Sequence, residues 1–118
     1  MTGRASGTNG ALHERARDLF PGGVSSPVRA WGSVGGTPRF LVDAEGAHVV
    51  DVEGARYLDY VSSWGAIILG HADPEVVGAV CEAAGRGTSY GAPIPGAIVL
   101  AARIRSAMPW GVRMRFVS

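Results

Sequence analysis

Lysine is absent from this sequence: all eleven basic residues among its 118 are arginine. A Schiff base on a lysine side chain is therefore impossible within these residues. A coding bias toward Ala, Gly and Arg accounts for the absence without any function. Cysteine is nearly absent as well, with Cys81 alone, so no disulfide framework exists and a reduced, cytoplasmic setting is the expectation. Cys81 has no basic neighbour in sequence to activate it and reads as inert. No apolar run is long enough to span a bilayer, and the first ten residues lack the apolar stretch of a signal peptide. Charge of one sign is lacking too: the net charge is +1, which gives no reason to expect nucleic acid or an anionic membrane as partner. What is present is apolar content, 47% against 18% charged, enough for a packed core and too much for wholesale disorder. The length allows one small domain or part of a larger one.

The densest stretch is Phe20 to Trp31, F-P-G-G-V-S-S-P-V-R-A-W. Pro21 ends a preceding helix, Gly22 and Gly23 permit backbone angles other residues avoid, and Pro27 biases Ser26 toward an extended conformation. Ser25 and Ser26 stand close in sequence to Arg29, whose planar fork of donors matches a carboxylate or phosphate with two parallel bonds. A rigid loop of this kind can hold a small anion. The bland reading is a surface loop with a solvated arginine, and composition alone favours it.

Residues 1–10 are small and polar and read as a flexible tail. Ala11 to Phe20 reads as a helix, with Leu12, Ala16, Leu19 and Phe20 on one face, Asn9 as its cap and Pro21 as its stop. Arg39 to Ser62 reads as a β-meander. Its turns are Asp43-Ala44-Glu45-Gly46 and Asp51-Val52-Glu53-Gly54, and its strands Phe40–Val42, Ala47–Val50 and Arg56–Val61. The acidic turns lack an EF-hand pattern, so calcium is not expected. In Ser63-Trp64-Gly65-Ala66-Ile67-Ile68-Leu69-Gly70-His71, a lone Trp64 is most simply a core residue. His71 has no partner at metal-ligand spacing and is expected to make a structural hydrogen bond; no metal site is predicted. Asp73-Pro74-Glu75 is a strong helix start, and Val76, Val77, Val80, Ala83 and Ala84 form the stripe expected to be buried before Gly85 and Gly87. Thr88 to Gly96 reads as a loop, Ala97 to Met108 as a helix stopped by Pro109, and Val112 to Val117 as a strand. A strand in that last position, with no helix following, points to a truncated α/β unit.

Taken in order, F-P-G-G-V-S-S-P-V-R-A, G-G-T-P, D-x-E-G-x-x-Y-x-D-Y, S-W-G-x-x-I-L-G-H and T-S-Y-G-A-P resemble the glutamate-1-semialdehyde 2,1-aminomutase family, from about Leu12 to Ser118. That resemblance implies a class III pyridoxal-phosphate aminotransferase of fold type I. The fold expected here is its α+β N-terminal segment: a helix, a three-stranded antiparallel meander, two helices and the start of a parallel-sheet strand. Residues 11–108 would be the small-domain segment with the substrate-facing loop, and 109–118 the first strand of the large cofactor-binding domain. The family moves an amino group between neighbouring carbons, making 5-aminolevulinate for tetrapyrrole synthesis, as a cytoplasmic homodimer. The resemblance assigns Ser26 and Arg29 to the substrate carboxylate and Trp64 to the substrate pocket. The family's phosphate-cradling S-G-T loop, its pyridine-pairing aspartate and its Schiff-base lysine are not within these residues, so no catalytic or cofactor-binding residue is assigned and the segment alone is expected to be inactive. Two further departures stand out: Ile94-Pro95-Gly96 replaces polar residues after G-A-P, and Asp73 takes the place of the second histidine of G-H-x-H-P. The competing expectations are a class III ω- or β-amino acid aminotransferase segment and a non-catalytic fragment.

Overall fold

The computed structural model describes residues 7–108, 110 and 113–117. Helix α1 (Asn9–Leu19) is followed by two short 3-10 turns, Pro21–Gly23 and Pro27–Ala30. Strands β1 (Leu41–Glu45), β2 (His48–Asp51) and β3 (Arg56–Leu58) come next, then a single turn α2 (Ser62–Gly65) and helices α3 (Pro74–Ala84) and α4 (Pro95–Ala107). The chain divides into two compact units, Met1–Gly78 and Ala79–Ser118.

In the first unit, Thr8 rather than Asn9 caps α1, its Oγ1 accepting from the amide of Ala11 at 3.2 Å. Asn9, expected to end a flexible tail, is instead the first helical residue and only 1% exposed. Its side chain is engaged elsewhere. Nδ2 donates to Asp51 Oδ2 and to Glu53 Oε2, each at 2.9 Å, and Oδ1 accepts from the amide of Phe40 at 2.8 Å. An amide side chain this fully partnered can be buried without the cost of an unmade hydrogen bond. Of the face predicted on α1, Ala16 is buried but Leu19 is 73% exposed.

The meander is antiparallel, in the order β1-β2-β3. Its first turn lies further along than the Asp43–Gly46 turn expected. Asp43 and Ala44 are strand residues facing Val50 and Val49, and Glu45 pairs with His48, which leaves Gly46-Ala47 as a two-residue loop. Such loops favour positive φ, and Gly46 supplies +54°. The register shift between Leu41 and Asp43 absorbs the extra residue as a bulge. The second turn forms at the expected residues. The amide of Gly54 donates to the carbonyl of Asp51 at 2.9 Å, while Asp51 Oδ1 accepts from the amides of Glu53 (3.0 Å) and Ala55 (2.9 Å). Strand β3 stops at Leu58 rather than Val61, because the Asp59 side chain takes the amides of Val61 and Ser62 and turns the chain away.

Helix α3 starts as its sequence dictates: Asp73 Oδ1 accepts from the amides of Glu75 and Val76, each at 3.0 Å. Its valine stripe, expected to be buried, is open. Val76, Val77 and Val80 are 48%, 46% and 60% exposed, and no described residue is packed tightly over them. Helix α4 begins at Pro95 rather than Ala97, since a proline at the first helical position costs no hydrogen bond and already has a helical φ. The stop expected at Pro109 lies outside the described residues. Residues 113–117 form no strand: a strand needs a ladder partner, and none is offered among the described residues.

Candidate functional site

The Phe20–Trp31 loop is held against α1 by a glycine. Gly23 has φ +72° and is buried, and a Cβ there would come within 2.8 Å of His13 Cε1 and 2.9 Å of Arg17 Cγ. A side chain at this position would be strained by that φ and would have to displace the His13 ring or the Arg17 stem. Ser26 is extended (φ −145°, ψ 128°), as the following proline requires, and its carbonyl accepts from the amide of Arg29 at 3.0 Å. Ser26 and Arg29 thus share one 3-10 turn. Trp31 closes it in a left-handed conformation, φ +56°.

Arg29 lines an open cleft of about 390 Å³ whose walls come from α1 (Ala16), the loop (Phe20, Gly23, Val24, Ser25) and the segment Pro38, Arg39, Phe40, Leu41. Ser25, not Ser26, is the hydroxyl residue lining this cleft. Two guanidinium groups and no carboxylate line it, which makes it an anion-attracting space with mostly apolar walls. Among the described residues no carboxylate pairs with Arg29. Arg39 is held to one side by Glu53, with Nη1 3.9 Å from Oε2.

The walls of this cleft are tied to each other. Asn9 and Ala16 fall on one face of α1, and the Asn9 side chain holds the amide of Phe40 on the opposite wall. Asn9 also engages Asp51 and Glu53, and the Tyr57 hydroxyl donates to Asp51 Oδ2 at 3.0 Å. Burial pushes the Asp51 carboxyl up, but hydrogen bonds from Asn9, Ala55, Tyr57 and Glu53 outweigh it and hold it below the usual carboxylate range. The hydrogen bond to this carboxylate is the main reason the Tyr57 phenol is raised above its ordinary value. Sequence reasoning read Asp51 only as a turn residue and missed Asn9 and Arg39. A turn aspartate has a spare oxygen once its own loop amides are satisfied, and that was the one available signal.

Trp64 is on a different loop and is not among the residues lining the Arg29 cleft. It is 65% exposed, so the core role expected of a lone tryptophan does not hold in this chain. Ser62, Ser63 and Trp64 have φ +46°, +50° and +56°, three successive non-glycine residues in left-handed conformation. Each such residue costs about 1–2 kcal/mol. The loop base is closed by His71, which makes the structural hydrogen bond expected of it: Nε2 lies 2.6 Å from Asp59 Oδ2.

The family Aminotransferase class-III matches residues 32–105, more than half of the chain. The chain belongs to this family. The match begins just after the Arg29 turn and includes Trp64. A curated relative, glutamate-1-semialdehyde 2,1-aminomutase of Anaeromyxobacter dehalogenans (strain 2CP-C), is 59% identical over 107 residues, 91% of this chain and 25% of the relative. Among solved structures, an omega-transaminase from Sphaerobacter thermophilus superposes with TM-score 0.77 at 32% identity, covering 87% of this chain and 23% of its own. A transaminase with PLP bound superposes with TM-score 0.73 at 35% identity, covering 82% and 22%. The expected α+β class III architecture is therefore the one found, and the chain spans about a quarter of the length of the curated relatives it matches.

Proposed function

We propose that this chain is the substrate-binding N-terminal part of a glutamate-1-semialdehyde 2,1-aminomutase, the pyridoxal-phosphate enzyme that converts glutamate 1-semialdehyde to 5-aminolevulinate for tetrapyrrole synthesis. In this reading the complete enzyme is a cytoplasmic homodimer. The observation that carries it is Arg29: a guanidinium with no carboxylate partner among the described residues, set in a cleft with Arg39 and largely apolar walls. A small substrate with one carboxylate suits such a space, the fork of Arg29 taking both oxygens. In this reading Ser26 shares in holding that carboxylate, and its carbonyl closes the turn that carries Arg29. Trp64 does not line the Arg29 cleft; in this reading it belongs to the substrate pocket of the complete enzyme.

The residues present do not fit the cofactor itself. With no lysine in the sequence there is no ε-amino group to anchor pyridoxal phosphate, and no cofactor-binding residue is assigned here. The contribution of this segment is to bind and orient the substrate carboxylate. An ω- or β-amino acid aminotransferase is the second reading, favoured by the superposition on the Sphaerobacter thermophilus omega-transaminase. The 59% identity to the Anaeromyxobacter aminomutase favours the first.

Steady-state kinetics of the full-length protein carrying Arg29→Lys or Arg29→Ala test the proposal. A lysine is a point charge and cannot reproduce two parallel bonds, so both variants are expected to lose about 2–4 kcal/mol of transition-state binding, roughly thirtyfold to a thousandfold in kcat/KM. Much of the loss should appear in KM, with cofactor content unchanged. Wild-type KM in both variants would remove Arg29 from the site, and loss of cofactor in both would make its role structural.

A further inference from the structure

The turn that carries Trp64 is held in a conformation its own residues resist. Ser62, Ser63 and Trp64 are left-handed in succession, and a run of this kind persists only where its surroundings determine it. Glycine would adopt it freely, yet glycine appears only at the next position, Gly65. The turn has backbone hydrogen bonds of its own, from the Trp64 amide to the Val61 carbonyl at 2.9 Å and from the Ile67 amide to the Ser62 carbonyl at 3.2 Å, and one side-chain pair ties its two ends to the rest of the unit. Asp59 Oδ1 accepts from the amides of Val61 (2.8 Å) and Ser62 (3.0 Å), the entry to the left-handed run. Its other oxygen, Oδ2, is bound to His71 at the far end of the loop. Neither partner floats: the two side chains are 14% and 18% exposed, and His71 is fixed through its backbone to the β1–β2 hairpin. The amide of His71 donates to the carbonyl of Gly46 at 2.8 Å, and the amide of Gly46 to the carbonyl of His71 at 2.9 Å. A Cβ on Gly70 would lie 2.9 Å from the Gly46 carbonyl oxygen, so the loop and the hairpin approach as closely as glycine permits.

We propose that Asp59 and His71 are positioning residues of the substrate site, which clamp both ends of the 59–71 loop and so impose the left-handed turn that presents Trp64. The inference rests on the reading that Trp64 lines the substrate pocket. Asp59 and His71 have no chemical role in it; they act through the backbone of Ser62–Trp64. The charge suits the task, because the hydrogen bond from His71, then those from the Ser62 and Val61 amides, hold the Asp59 carboxyl below the usual carboxylate range and keep it a full acceptor near neutral pH.

Four forms of the full-length protein test this: wild type, His71→Ala, Ser63→Gly and the double variant, each labelled with 5-fluorotryptophan. The 19F resonance of Trp64, assigned from its loss in Trp64→Phe, reports the turn independently of activity. In His71→Ala the Trp64 resonance is expected to shift or broaden, and KM for glutamate 1-semialdehyde to rise about tenfold or more with kcat changed far less. Ser63→Gly alone should leave both near wild type. The double variant should recover most of both, because a glycine at the strained position needs less holding; a side chain that merely stabilised the fold would not be rescued in this way. An unchanged resonance in His71→Ala, or a double variant as defective as the single one, overturns the proposal. Should His71→Ala fail to fold, His71→Leu, which fills the space without an N–H donor, carries the same comparison with and without Ser63→Gly. If wild type shows no aminomutase activity, the proposed function fails, while the 19F arm still decides whether the clamp sets the turn.

Discussion

In the unit Met1–Gly78 a side chain with three hydrogen bonds, Asn9, is almost inaccessible; in the unit Ala79–Ser118 no described residue is buried at all. The first unit has little apolar core, with Ala16 and Val49 its buried hydrophobic residues, so its specificity comes from polar links between distant residues. Asn9 joins α1 to the second turn and to the strand entry, and Asp59 joins the end of β3 to His71. Among its described residues the second unit has only short-range bonds of this kind. Arg86 pairs with Glu82 within one helical turn, and the Tyr90 hydroxyl donates to the Arg86 carbonyl. Exposed pairs of that sort contribute about 0.3–0.5 kcal/mol each. A segment can therefore form all its predicted helices and still have nothing to fix it beyond local preference.

The strongest way to break the contrast is Asn9→Ala. It removes one acceptor and two donor contacts, leaving the Phe40 amide and an Asp51 oxygen short of partners in a buried place. The expected cost is about 2–4 kcal/mol, read as a lower denaturant midpoint and as faster amide exchange in β1 and β2, with exchange in α4 unchanged. Equal acceleration in α4 would show that the two units are not separately held.

Acid should separate the units next, and by less. Asp51 and Asp59 are both held below their ordinary values, so the unfolded chain binds protons at a higher pH than the folded one. Their contribution is complete above the unfolded carboxylate pKa and is lost as pH falls through the lower folded values. Amide exchange at Val49 and Val50 should accelerate across that acid window, while α4, whose stability involves no such carboxylate, should show no matching step. A stability rising toward low pH would reverse the sign and remove both aspartates from the network.

The difference between the units also marks what could be read from sequence. Whereas α4 was expected two residues late, at Ala97 rather than Pro95, the start of α3 was legible because a local rule decides it: the capping geometry of Asp73-Pro74-Glu75 is present in full. The hairpin at Asp51–Gly54 was legible for the same reason. Asn9 was assigned a local role because local rules favour it as a cap; its true partners lie at separations of 31, 42 and 44 residues. The Ser26–Arg29 turn followed from its prolines and glycines, but no local pattern announced that Arg39 would line the same cleft as Arg29. The left-handed run at Ser62–Trp64 was invisible because its residues carry no preference for that conformation.

The smallest expected effect is the sharpest test of the comparison. Val49 and Val80 are the same residue in the two units, 7% and 60% exposed. Val49→Ala removes two buried carbon atoms and leaves a gap between the Ala44 and Tyr57 positions on the neighbouring strands, at a cost of about 1.5–2.5 kcal/mol. Val80→Ala in the 118-residue chain removes mostly solvated surface, and alanine is the better helix former, so the change should lie within about 0.5 kcal/mol and tend toward stabilisation. Denaturation monitored by circular dichroism compares the two directly. If Val80→Ala costs as much as Val49→Ala, the valine face of α3 is covered in solution. Repeating the melt over a hundredfold range of concentration then shows whether the cover is a second copy, whose effect must fade on dilution.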